Sequence, residues 1–190
     1  MISASGIRNA LALAALLVTG SALSEPLTNQ QLIQSLGQVT EAAPAVDPAV
    51  LMEEITANVG KGVAALPNFA QLAAMPQLTV EINFEYGSVA IVPESYRTVG
   101  VIADALHYPT LLGRKFLIVG HTDSTGDANS NLTLSLRRAE AIRDALSTTF
   151  AVPPDRLFAI GVGEEMPLDA AHPTAAANRR VQLINIGWAQ

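Results

Sequence analysis

The sequence predicts an α/β fold: a mixed four-stranded sheet with helices packed on it, in the order strand, helix, strand, helix, strand, long loop, strand. Three observations predict it. Leu78, Val80, Ile82 and Phe84 alternate with polar neighbours, the period of a strand with one buried face. Phe116, Leu117, Ile118 and Val119 form an unbroken apolar run, as a strand buried on both faces does. Helical spacing joins Tyr96, Val99, Ile102, Ala103 and Leu106, and again Leu132, Leu136, Ala139, Ile142 and Leu146.

The elements follow in order from the N-terminus. Residues 1–24 read as a secretory signal peptide, with Arg8 as its positive start, an apolar run over 10–18 and small residues at Ala22 and Ser24 before Glu25. The run is short of the roughly 20 apolar residues that span a bilayer, and an uncleaved anchor is the competing reading. Residues 25–77 read as an N-terminal helical and linker segment. Thr28 can cap a short helix carrying Leu32, Ile33 and Leu36, stopped by Gly37. An Ala/Pro-rich piece over 42–48 reads as a linker. Asp47 and Pro48 then start a helix with Leu51, Met52, Ile55 and Val59 on one stripe, ended by Gly60. The expectation is a tether with weak helices; the alternative is that these stripes dock on the main domain or on a partner. Residues 78–188 carry the α/β domain. Within it Pro93 opens the first helix and Pro109 prevents its continuation, Asn129 or Asn131 can cap the second, and residues 156–163 and 181–186 supply the last two strands.

Charge and composition exclude some functions. The formal net charge is −6, and removal of the first 24 residues takes away one positive charge, Arg8, leaving −7. A negative chain lacks the basic footprint for nucleic acid and is repelled by anionic lipid surfaces. There is no cysteine, hence no disulfide and no thiol in these residues to carry a lipid.

The candidate site lies in residues 120–139, GHTDSTGDANSNLTLSLRRA. Ligands of open α/β sheets sit beyond the carboxyl ends of the strands. Asp123 follows the second strand there, and Glu85 follows the first. If the first two strands are parallel neighbours, both carboxylates share one rim. Arg138 stands about two turns into the next helix, and its side chain leans back toward the helix start. An acid and a base on one rim suit a zwitterion. A structural salt bridge between Asp123 and Arg138 accounts for the same spacing equally well, and spacing alone leaves both open. Arg137 reads as a solvated neighbour. Asn178, Arg179 and Arg180 precede the last strand and supply further polar groups to that rim, or merely solvate a strand end.

Several of these residues carry a family resemblance. Gly120-His121-Thr122-Asp123, Gly126, Leu134-Ser135 with Arg138-Ala139, and Asn178-Arg179-Arg180-Val181 together resemble the OmpA C-terminal-like family, shared by OmpA, Pal and MotB proteins. The Ile82-x-Phe84 strand and the Gly87-Ser88 to Pro93-Glu94-Ser95 helix entry also fit. The resemblance covers roughly residues 78–187. It implies an OmpA-like βαβαββ sandwich and non-covalent binding of peptidoglycan through the meso-diaminopimelate of the stem peptide. By that resemblance Asp123 pairs with the ligand ammonium and Arg138 with its carboxylate. Glu85 stands where relatives often have aspartate, Asn131 matches the asparagine before the Leu-Ser pair, and Arg179 and Arg180 match the late arginine pair, one of them facing the ligand. The resemblance implies a free-standing periplasmic protein attached to the wall, without catalysis and without cofactor.

Two other function classes are open to test. His121, Asp123 and Ser124 suggest a hydrolase, but neighbours on a strand alternate faces, no G-x-S-x-G elbow occurs, and His107, His121 and His172 lack metal-ligand spacing. A periplasmic interaction scaffold would use the amphipathic stripes of residues 25–77 to hold an envelope protein.

Overall fold

The computed structural model describes residues 27–38, 46–85 and 88–188. The expected signal peptide, most of the Ala/Pro-rich piece and Gly87 lie outside the described residues. Helix α1 spans Asn29–Gly37, α2 Pro48–Ala57, α3 Pro67–Leu72, α4 Tyr96–Leu106 and α5 Ala128–Asp144; strand β1 spans Gln77–Val80, β2 Arg114–Gly120, β3 Leu157–Gly161 and β4 Val181–Trp188.

The expected α/β architecture is present, with one mixed four-stranded sheet in the order β1-β4-β2-β3. β1 and β2 run parallel, as expected, but they are not neighbours. β4 lies between them, antiparallel to both, and β3 pairs parallel to β2. The last strand therefore fills the centre of the sheet. Its register sets the site: Val181 stands opposite Val80 on one side and opposite Gly120 on the other. The end of β1, the end of β2 and the start of β4 thus meet on one rim.

β2 is buried on both faces, as its unbroken apolar run requires. Phe116 and Ile118 join a core with Leu32 and Leu36 of α1, Val99 and Ile102 of α4, and Ala139 and Ile142 of α5. Leu117 and Val119 point the other way, into a second core with Leu51 and Ile55 of α2 and Phe69 and Leu72 of α3. Successive strand side chains alternate faces, so one strand feeds both cores. Residues 29–37 and 48–72 are therefore not a tether: their helices cover the two faces of the sheet.

Local chemistry explains these helices. Thr28 and Gln31 form a reciprocal capping box at α1. Asp47 caps α2 through the Ala49 N–H (2.8 Å), with Pro48 at the first helical position. The Asn185 amide of β4 donates to the Leu36 carbonyl (2.7 Å), satisfying the end of α1 from within the sheet. The Glu165 carboxylate accepts the backbone N–H groups of Gly60 and Gly62 and so ties the α2–α3 connection to the loop after β3. α5 is capped by Asp127, which accepts from the Ser130 N–H (2.9 Å), in place of the expected Asn129 or Asn131. Pro93 opens a short tight turn, Pro93–Ser95, that leads into α4. β1 is shorter than its alternation suggested; after Val80 its continuation forms an isolated bridge, Phe84 to Ile91, and no further ladder among the described residues up to α4.

Candidate functional site

α5 crosses β2 and β3 at a distance that only glycine allows. A Cβ at Gly120 would lie 2.2 Å from the Ser135 carbonyl oxygen, and one at Gly161 would lie 2.3 Å from the Leu136 nitrogen. Ser135 is fully buried in this crossing, and its hydroxyl accepts the Gly163 N–H (2.8 Å). The next turn of the helix carries Arg138, so the close crossing aims that residue at the rim.

The loop after β2 is held by its backbone. The His121 N–H donates to the Arg180 carbonyl (3.0 Å), the Thr122 N–H to Gly163 (2.9 Å) and the Ser124 N–H to Pro173 (3.1 Å). Asp123 closes its own turn, Oδ1 accepting the Thr125 N–H at 2.9 Å. Its other oxygen accepts from Arg179 Nη1 at 2.5 Å. Burial pushes the Asp123 carboxyl up, but the Arg179 guanidinium and Thr125 outweigh it and leave it below its ordinary value.

Arg138 is half-buried, and its guanidinium carbon lies 4.8 Å from the centre of the Phe84 ring. Its Nε is shut off from water and holds no hydrogen-bond partner among the described residues. Burial lowers its basicity, the neighbouring Arg179 charge lowers it further, and Asp123 offsets part of this. Arg138, Arg179, Arg180, Asn83 and Phe84 line a cleft of 130 Å³ at the rim.

The remaining candidates fall into distinct places. Arg180 is buried and donates to the Met166 carbonyl (3.0 Å), and burial pushes its pKa down to about 10. Arg179 leans outward and holds Asp123. Asn178 is fully buried; its amide donates to the carbonyls of His172 (3.0 Å) and Pro173 (2.9 Å), fixing the long loop before β4. Asn131 is also buried, and donates to the Thr125 carbonyl (3.2 Å) and to Glu164 Oε2 (2.6 Å). That makes it a brace between the Asp123 loop and the loop after β3. Glu85 is exposed in the turn between Phe84 and Ile91, its N–H bonded to Ala90, and it does not line the cleft. Asp123 and Arg138 share the rim, but the ion pair of Asp123 is with Arg179. Sequence spacing could not reveal that partner, 56 residues away. The sequence marks Phe84 as a strand and motif residue, but its place beside the Arg138 guanidinium leaves no sequence signal of its own.

His121 is buried and bonds through Nε2 to Gln182 Oε1 (2.6 Å). Burial, with the Arg180 charge, holds it well below its ordinary pKa despite that bond, so it stays neutral. Its Nε2 is committed to Gln182, and the Ser124 backbone N–H to Pro173. Among the described residues no cluster of three His, Asp or Glu side chains is arranged to hold a metal ion.

The chain is similar to named proteins in a consistent way. The peptidoglycan-associated lipoprotein of Pseudomonas aeruginosa is 33% identical over 129 residues, covering 67% of this chain and 72% of that protein. Outer membrane porin F of the same organism is 32% identical over 129 residues, 66% of this chain. The chain spans about a third of the porin's length, 35%. The periplasmic domain of Helicobacter pylori MotB has the same fold at a TM-score of 0.50 and 22% identity, covering 60% of this chain and 83% of that domain. A model described as the OmpA family matches residues 83–180, which take in the β1–α4 turn, the Asp123 loop, all of α5 and the Asn178–Arg180 motif. With residues 83–180, half of the chain, matched by that model, the protein belongs to the OmpA family.

Proposed function

We propose that the protein binds peptidoglycan non-covalently in the cell envelope, on the periplasmic side, by holding the zwitterionic end of a meso-diaminopimelate side chain in the Arg138 cleft. One observation carries the reading. Arg138 lines the cleft with a guanidinium that belongs to no ion pair among the described residues, beside an ionised Asp123. Burial has already stripped part of the water from this guanidinium, so an incoming carboxylate replaces lost hydration at its accessible donors. Arg138 then grips the ligand carboxylate through its planar donors, and Asp123 accepts from the ligand ammonium, sharing its oxygens with Arg179. Each charged contact contributes about 1.5–3 kcal/mol. Lysine offers an ammonium but no carboxylate at that position, so the pair discriminates between the two wall chemistries. The name of one relative, a peptidoglycan-associated lipoprotein, supports peptidoglycan as the polymer bound.

The test is co-sedimentation with sacculi. Wild type pellets with diaminopimelate-type sacculi and weakly with lysine-type ones. Asp123→Ala and Arg138→Ala each abolish pelleting while keeping a cooperative melt. Both variants pelleting like wild type would overturn the site, and equal retention on both wall types would show that the distal carboxylate is not read. Nothing in the site argues for catalysis, and no soluble muropeptide is expected to be released over time. The scaffold reading loses its surface: Leu32, Leu36, Leu51 and Ile55, the stripes it needs, are buried against the sheet.

A further inference from the structure

The 130 Å³ cleft is small for a polymer ligand. Small-molecule sites usually occupy about 300–1,000 Å³, so the cleft takes one charged end and leaves the rest outside. A second depression of 590 Å³ begins on the next face of the same helix. Adjacent positions of α5 point into the two: Arg138 into the cleft, Arg137 into the groove. Phe84 covers Arg138, while Ser88 and Val89 face Ser130, Thr133, Leu134 and Arg137 across the groove. The two depressions thus lie at neighbouring positions of α5, with Phe84 at one and Ser88 and Val89 at the other.

The groove's chemistry differs from the cleft's. Its polar groups, Arg137 aside, are neutral, and their directions are already set. Thr133 spends its hydroxyl proton on the Asn129 carbonyl (3.0 Å), and Ser130 spends its own on Asp127 (3.2 Å), so both present lone pairs as acceptors. Ser88 accepts the Ala90 N–H (3.0 Å) and keeps its O–H to donate. Val89 and Leu134 add apolar surface beside them. Arg137 belongs to none of the ion pairs among the described residues. Fixed hydroxyls, an apolar patch and one free guanidinium match a ligand with hydroxyl and amide groups on its rim and C–H groups on its face.

We infer that this groove is a second subsite, which takes an N-acetylated sugar of the glycan strand to which the stem peptide is attached. The inference rests on the reading of the cleft given above. Thr133 and Ser130 accept from sugar O–H or N–H groups, Ser88 and Arg137 donate to ring-substituent and acetyl oxygens, and Val89 and Leu134 pack on the sugar's C–H face. The protein then reads wall fragments in two parts, the charged end of the peptide in the cleft and the neutral sugar in the groove.

The experiment is calorimetric titration of the full chain with two probes: a diaminopimelate stem tripeptide, and the same tripeptide carrying its N-acetylglucosamine–N-acetylmuramic acid disaccharide. The wild type binds the disaccharide-bearing probe about tenfold more tightly, the worth of one or two neutral hydrogen bonds. Thr133→Val with Arg137→Ala, both on the outer side of α5, removes that advantage and leaves the tripeptide affinity unchanged. Equal wild-type affinity for both probes overturns the inference. So does a variant that loses the tripeptide as well, because the groove would then be reading stem-peptide carboxylates. Failure of the underlying reading has a separate signature: the tripeptide does not bind the wild type, or Asp123→Ala binds it unchanged.

Discussion

Arg138 and Arg179 are both cations beside Asp123, yet they sit there for different reasons. Arg179 is half exposed, and its head is spent on Asp123 at 2.5 Å. Arg138 is partly desolvated and has donors to spare. The acid is therefore kept ionised by one arginine and set beside the other. This has a pH consequence. Asp123 has a folded pKa below 3.8, against the upward push of burial. Its contribution to stability is present above 3.8 and is lost as the pH falls through the lower folded value. Arg179→Ala removes the main group that outweighs burial, so the variant melts below wild type at neutral pH and the gap closes in acid. Because the Arg179 side chain is 50% exposed, the gap is small, at most about 1 kcal/mol. Thermal melts of both proteins at pH 7 and pH 3 check it; a gap of the same size at both values would mean that Asp123 is not the group involved.

The crossing of α5 over the sheet converts short sequence motifs into a site. Gly120, Ser135 and Gly161 are scattered in sequence but form one contact, in which backbone replaces side chain. Gly120→Ala puts a methyl group 2.2 Å from the Ser135 oxygen, forcing α5 away at a cost of about 1–3 kcal/mol. Arg138 rides on the displaced turn, so the variant also loses affinity for diaminopimelate-type sacculi while Asp123 and Arg138 are both intact. Normal stability and normal pelleting together would mean that the helix position does not matter. The amphipathic pattern made α4, α5 and the doubly buried β2 legible, because burial leaves a local periodic trace in residues such as Phe116 and Leu117. The insertion of β4 between β1 and β2 left none. Strand neighbours are chosen by long-range pairing, and the run at Val181 reads the same at an edge or in the centre. The same limit hid the partner of Asp123: its motif was visible in GHTD, but the arginine that holds it comes from the far end of the chain. Asn131 and Asn178 were visible as motif positions, yet their buried amides brace loops, and only the acceptors around them reveal it.

At the scale of the whole molecule, the N-terminal segment decides whether the sheet can exist alone. All the residues of the cleft lie between 81 and 180, and the sequence suggests a domain starting at 78. The sheet, however, has two apolar faces; among the described residues beyond 78, α4 and α5 pack on one of them together with α1, and little more than Leu132 and Met166 packs on the other. The other face presents Leu117, Val119, Ile160, Val162 and Ile184, and its cover is Leu51 and Ile55 of α2, Leu66, and Phe69 and Leu72 of α3. The Glu165 bonds to Gly60 and Gly62 fasten that cover at the site end. Each aliphatic side chain is worth about 1.5–3 kcal/mol when buried, and a domain's whole margin is about 5–15 kcal/mol. A chain of residues 78–188 therefore lacks the margin to stay folded with that face in water. It is expected to bind a hydrophobic dye, aggregate and give no cooperative melt, whereas residues 27–188 melt in one transition and bind sacculi. Glu165→Ala in the longer chain sits between these limits: its melt falls while its affinity for the tripeptide probe is kept, because the fastening lies behind the sheet and not in the cleft. A soluble 78–188 chain with the melting temperature of the longer one would show that α2 and α3 are an ornament on the sheet rather than half of its core.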